Sequence, residues 1–319
     1  MTFKSSIFSF LLIVFLFSCK QDKIRKPILN TDMQIHVDRF DSIFANAVSN
    51  DLPKLKKAYP FLFPEKYPDS FWIGRMTDSV YKQLYAETVL KFRDFEETES
   101  DINLFYKHLK FYFPEVKTPR IISVVSDVDY RNKVVVTDSI VLIALDTYLG
   151  DDHPFYDGIH KYISKNFTEG QITCDLASEY AKRYIYQSKR KTLLDEMIYH
   201  GKILYFQDVM LPLKSDAEKI GYTQKELDWA KANEREIWRY FVEREMLYST
   251  DSKLPGRFIN PAPFSKFYLE LDNESPGRLG QFIGWQIVKA YMKNNDVDLK
   301  TMLIKDAEEI FKNSKFKPE

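Results

Sequence analysis

Glycine is scarce in this chain, with 10 residues in 319 against 25 phenylalanines and 20 tyrosines. Hairpin-dense β folds need glycine, asparagine and aspartate at their turns, so the shortage points to a helix-rich protein. Cysteine is scarcer still. Cys19 and Cys174 are the only two, and with one of them near the N-terminus they make a poor disulfide framework. Charge of one sign is not in excess, since Lys+Arg and Asp+Glu stand at 46 each. That balance excludes the global basic field by which proteins hold nucleic acid, so no nucleic-acid partner is expected. Walker loops, dinucleotide fingerprints and Gly-x-Ser-x-Gly elbows are absent, and with them the usual signs of nucleotide chemistry and serine hydrolysis. The five histidines, His36, His108, His153, His160 and His200, include no pair at metal-binding spacing. No cofactor is expected.

What the chain does have begins at its start. Ser5 to Ser18 is a run of 14 residues without charge, and it ends at "LFSCKQDK". A lysine precedes an apolar segment that is too short to span a bilayer, and the small Ser18 precedes Cys19, which is the layout of a cleaved export signal. Leu16-Phe17-Ser18-Cys19 also resembles a lipobox, in which the cysteine is acylated and becomes the first mature residue. More than one acyl chain on Cys19 would give a stable membrane anchor. Polar residues 20–32, with Pro27, read as a tether. Lys20 after the cysteine favours the outer membrane. The expected organisation is a signal peptide at 1–18, a lipidated tether at 19–32 and a single domain at 33–319.

The remainder reads as α+β, mostly helical with one small sheet. "DRFDSIFANA" and "LPKLKKAYPFLFP" suggest a short helix, then a helix closed by a proline-bounded aromatic turn. Residues 78–116 carry Leu84, Phe92, Ile102, Phe105 and Leu109 at roughly helical spacing, as two helices joined near Thr98. From Arg120, "RIISVVSDVD" and "KVVVTDSIVLIALDTYL" have the Ile/Val content of buried strands, which recurs nowhere else. Helices then follow at 172–187 and 191–212. Thr223 and Glu226 form a capping pattern at the head of a long helix reaching residue 249. Another helix is marked by Leu279, Phe282, Ile283 and Ile287, and a last one starts near Asp298. Gly280 and Gly284 sit one turn apart. Each glycine costs a soluble helix about 1 kcal/mol relative to alanine, so the pair suggests close approach of another backbone.

Taken in order, the lipobox, "DRFDSIF" with "LKKAYPFLFP", "LLDEMIYHGKILYFQDVMLP", "NEREIWRYFVE", "SPGRLGQFIGWQIVKAYMKNN" and "DAEEIFKNSKFKPE" resemble the gliding-motility lipoprotein GldB family over nearly the whole chain. The resemblance implies an envelope lipoprotein needed for gliding, with partners in the gliding and type IX secretion machinery.

The same segments resemble, more distantly, the HExxH zinc peptidases. There a strand precedes a helix with two histidines one turn apart, and a later helix supplies a third ligand. On that pattern Glu179 keeps the place of the general base and His200 that of the third ligand. Ser178 and Lys182 stand where both histidines belong, and neither is a zinc ligand of the usual kind. The resemblance therefore implies a degenerate zincin-like domain without zinc or catalysis. The enzyme-class alternative is an envelope zinc-type peptidase, and a cell-wall-fragment-binding lipoprotein is another. Glu179, His200, Lys202, Arg257 and Arg278 are the candidates for lining the remnant cleft and receiving an acidic or carboxylate-bearing ligand. Scattered surface cations are the plainer alternative. Glu179 and Arg183 are spaced for an i,i+4 ion pair. "DDHPFYD", with Asp151, Asp152, His153 and Asp157, reads as a solvated loop rather than a cation site, since it lacks the glycine and terminal glutamate of a calcium loop.

If Cys19 carries the anchor, Cys19→Ala will leave unprocessed or soluble protein and will abolish incorporation of a clickable fatty acid. Labelling that persists in the variant would exclude Cys19 as the acylated residue.

Overall fold

The computed structural model describes residues 27–269 and 272–319. Cys19 and the signal segment lie outside the described residues. Packing begins inside the stretch expected as a tether. Ile28 is buried, and Lys107 Nζ donates to the Leu29 carbonyl at 3.0 Å.

Strand β1 (Val37–Arg39) leads into α1 (Phe40–Ala45), α2 (Leu52–Ala58), α3 (Asp69–Thr77), α4 (Ser79–Lys91) and α5 (Glu96–Tyr112). Three strands follow, β2 (Arg120–Val124), β3 (Val134–Val136) and β4 (Ile140–Ala144). The rest is helical: α6 (Lys161–Ser164), α7 (Ile172–Tyr184), α8 (Leu193–Met210), α9 (Asp216–Ile220), α10 (Gln224–Ala232), α11 (Glu234–Glu243), α12 (Leu254–Phe258), α13 (Leu279–Asn294), α14 (Leu299–Ile304) and α15 (Ala307–Ser314). Among the described residues no helix is long and apolar enough to cross a membrane. The architecture is α+β with one small sheet, as the composition predicts.

The sheet runs β1-β2-β4-β3, with β1, β2 and β4 parallel and β3 antiparallel at the edge. Ile121, Ile122, Val141 and Ile143 are wholly buried, as expected of parallel strands covered on both faces. Strand β1 is absent from the sequence expectation because two of its three residues are charged. Its charges are held locally. Arg120 Nε donates to Asp38 at 2.7 Å, and Arg39 binds the buried carboxylate of Asp41 at 2.8 and 2.9 Å. Asp41 also accepts from Ser123 of β2, which fastens the start of α1 to the sheet.

Three helix boundaries differ from expectation. The junction of α4 and α5 falls at residues 92–95, where Phe92 and Phe95 turn inward, and Thr98 lies within α5. The long helix after Thr223 breaks at Asn233, whose backbone leaves the helical region at φ −110° and ψ 11° and whose side-chain amide donates to the Trp229 carbonyl at 2.8 Å. The last helix is two, because Asp298 caps α14 through Thr301 N at 2.7 Å and Asp306 caps a fresh start through Glu308 N at 2.9 Å. The Thr223/Glu226 capping box forms as expected.

Helices α8 and α13 pack backbone against backbone. A Cβ on Gly284 would overlap the carbonyl of Met197, and one on Gly201 would overlap the carbonyl of Gly284 and lie 2.8 Å from Trp285 N. Gly280 meets α12 in the same way, 2.9 Å from the Phe258 carbonyl. The expected close approach is therefore present on both sides of α13. Gly74 in α3 has open space around its Cα.

These environments give glycine-to-alanine changes opposite signs. Gly284→Ala or Gly201→Ala should destabilise by roughly 1 to 3 kcal/mol, since backbone atoms cannot move aside as side chains do. Gly74→Ala should stabilise by about 0.5 to 1 kcal/mol through helix propensity alone. Thermal melts of the three variants check the signs, and unchanged melting for both crossing variants would mean the helices can part without cost.

Candidate functional site

The cleft is built from two facing helical stripes. On α7, Ile172, Leu176, Ala177 and Tyr180 turn into the core, which leaves Asp175, Ser178, Glu179 and Lys182 on the opposite face at helical spacing. On α8, His200 and Gln207 lie two turns apart on one face. These two stripes line a partly open cavity of about 500 Å³, to which Arg278, just before α13, and Lys219 and Gly221, around the end of α9, also contribute. Its size falls within the roughly 300–1,000 Å³ usual for ligand sites.

Of the residues expected in the cleft, Glu179, His200 and Arg278 meet there, with Ser178 and Lys182 beside them. Lys202 and Arg257 do not line it. Lys202 is 2% exposed and points to the far side of α8, where its Nζ donates to the carbonyls of Leu303 at 2.9 Å and Lys305 at 2.5 Å. It closes the C-terminus of α14, where a cation is favoured by the helix dipole. Burial still pulls its pKa down to about 8. Arg257 belongs to the packing of residues 257–268. Its Nε donates to the Lys266 carbonyl at 2.8 Å, and its guanidinium lies over the rings of Phe258 and Tyr268 at 4.7 and 4.5 Å.

Inside the cleft the charges are unevenly matched. Lys182 Nζ is 2.5 Å from Glu179 Oε1, so Glu179 pairs within α7 one turn on. The expected Glu179–Arg183 pair does not form, because Arg183 turns to Asp138 beside the sheet. Lys133 pairs with Asp175, and Lys219 with Asp208 at 2.9 Å. Arg278 pairs with no carboxylate among the described residues. Its guanidinium donates to the Gly221 carbonyl at 2.8 Å and lies 5.4 Å from the Tyr222 ring. His200 sits among these cations with its pKa pushed down to about 4, first by burial and then by Lys182 and Arg278, so it is neutral near pH 7. Cys174, which also touches the cavity, is a buried thiol whose pKa burial raises to about 12, and it is no nucleophile at neutral pH.

Gln207 is the cleft residue that sequence reasoning passed over. It is 2% exposed; its Nε2 donates to Ser178 Oγ at 2.9 Å, and its Oε1 has no hydrogen-bond partner. A polar amide inside the apolar run "ILYFQDVM" was the available signal. Among the described residues no group of three or more His, Cys, Asp and Glu is placed to hold a metal ion. In the loop of Asp151 and Asp152, His153 Nδ1 accepts from Phe155 N at 3.3 Å, and its Nε2 faces Glu87 at 3.9 Å.

The family model described as gliding motility protein GldB matches residues 21–318. No curated protein and no solved structure matches the chain.

The depressed pKa of His200 has a signed consequence for stability. Its neutral form is favoured in the folded state, so its contribution is intact above the unfolded value near 6.5 and is lost as pH falls towards about 4. A proton NMR titration should place the His200 midpoint near pH 4, and His200→Gln should flatten the loss of stability between pH 6.5 and 4. A midpoint near 6.5 would mean that the ring is solvated and the cleft open around it.

Proposed function

Because the chain belongs to the gliding motility protein GldB family, we propose that it serves gliding as a non-catalytic component that holds a partner protein or peptide in the cleft between α7 and α8. The observation that carries this reading is the state of the cleft side chains. A zinc hydrolase needs a free general base beside metal ligands, whereas Glu179 is engaged by Lys182 at 2.5 Å and Ser178 by Gln207 at 2.9 Å. A roomy cavity with committed carboxylates and an unmatched guanidinium is suited to binding.

The order of parts supports a degenerate zincin-like scaffold. Strand β4 precedes α7, α8 packs on α7, and His200 of α8 shares a cavity with Glu179 of α7. We further propose anchorage through acylated Cys19, residence at the outer membrane and association with gliding and type IX secretion proteins. The lipobox pattern and the family resemblance are the grounds for those statements.

Filling the cleft should stop function where removing Glu179 chemistry does not. His200→Trp cells should fail to glide with the protein folded and at normal level, while Glu179→Gln cells glide. One equivalent of zinc in purified protein together with non-gliding Glu179→Gln cells would restore a peptidase. Normal gliding of His200→Trp cells would remove the cleft from the function.

A further inference from the structure

We propose that the cleft takes an acidic peptide, with a carboxylate against the guanidinium of Arg278 and a neighbouring main-chain amide against Gln207. The inference rests on the reading of the cleft as a binding site and narrows what binds there.

Five cations and two carboxylates line the cavity, so an entering group with negative charge is favoured over a neutral one. Most of those cations are already neutralised: Lys133 by Asp175, Lys182 by Glu179 and Lys219 by Asp208. Arg131 and Arg278 are the two without a carboxylate partner among the described residues; Arg131 is exposed, whereas Arg278 is half-buried in the cleft wall. A guanidinium has five N–H donors and does not lose its proton, and the Gly221 carbonyl takes one donor at 2.8 Å. The half-buried charge therefore persists, with a planar fork of donors suited to a carboxylate.

A bare anion would satisfy Arg278 but leave Gln207 unexplained. It is buried, 2% exposed, and it lines the same cavity with Oε1 unpartnered. A primary amide can turn its two ends about, so whichever end holds Ser178 Oγ, the other faces the ligand as acceptor or donor. A peptide group offers the matching N–H and C=O. A carboxylate close to a peptide group occurs both at the carboxy terminus of a chain and at an Asp or Glu residue, and the shared chemistry is the same.

The test uses full-length protein in detergent and three randomised pentapeptide pools: free carboxy termini without Asp or Glu, amidated termini with one Asp or Glu, and amidated termini without any acid. Mass spectrometry reads the retained peptides. At least one acidic pool should be retained about tenfold or more over the acid-free pool, the difference expected for one charge-assisted contact, and the pool preferred tells terminal from side-chain carboxylate. Arg278→Gln should bring acidic retention down to the acid-free level, Arg278→Lys should keep part of it, and Gln207→Leu should lower it; melting curves establish that each variant is folded. Millimolar inorganic phosphate should fail to displace the retained peptides. Equal retention of the acid-free pool, retention of no pool, undiminished acidic retention in folded Arg278→Gln, or full displacement by phosphate would each overturn the proposal. Peptide retention that ignores Arg278 but is lost in His200→Trp would remove the acid preference and leave the cleft as a binding site. Absence of all retention with normal gliding of His200→Trp cells would remove both.

Discussion

The contact on which the remaining structure depends is the crossing of α8 and α13 at Gly201 and Gly284. There the two backbones meet with no side chain between them. Each glycine weakens its helix by about 1 kcal/mol relative to alanine, and the packing of two long helices offsets that loss. His200 stands directly beside Gly201, and Arg278 lies two residues before the glycine that seats α13 on α12. The same crossing therefore fixes the distance between the α8 wall of the cleft and Arg278. It also brings Trp285 against α8, where the indole donates to Asp208 at 2.8 Å, and Asp208 in turn binds Lys219 of α9 at 2.9 Å.

Two cations, one buried and one half-buried, show how the fold separates structure from function. Lys202 and Arg278 both lose hydration on folding, and both pKa values are lowered by burial. Lys202 recovers the loss through two carbonyls at the end of α14. Arg278 has one carbonyl and a ring face, too few partners for five donors. A half-buried charge with spare donors can take acceptors from an entering group. In a cavity lined by five cations and two carboxylates, that makes the guanidinium a seat for an acidic group.

Long apolar periodicities were legible in the sequence. The helices at 172–187, 191–212 and from Leu279, the β-branched strands after Arg120, the Thr223/Glu226 cap and the close approach at Gly280 and Gly284 stand where spacing placed them, whereas the breaks at Asn233 and before Asp306 were not visible in the apolar stripes. Glu179, His200 and Arg278, grouped on the sequence, line one cavity. Strand β1 was hidden because its three residues carry two charges whose partners, Arg120 and Asp41, become visible only in three dimensions. Lys202 and Arg257 were grouped with the cleft because charge alone does not tell which side of a helix a residue takes or which carbonyls wait for it. Gln207 was missed for the converse reason, since its amide stands out in the run but does not by itself show that Ser178 and the cavity lie beside it.

The central claim is that the cleft is occupied by a partner in gliding cells. Site-specific photocrosslinking in living cells tests it most directly, with a photoreactive residue in place of the cavity-lining Tyr162 and, as control, in place of Val80, which is 61% exposed and outside the cleft. The account predicts a discrete adduct at Tyr162 that is absent at Val80 and disappears when Arg278→Gln is introduced alongside. Failure of Tyr162 to crosslink at normal protein level, or an adduct indifferent to Arg278, would contradict it.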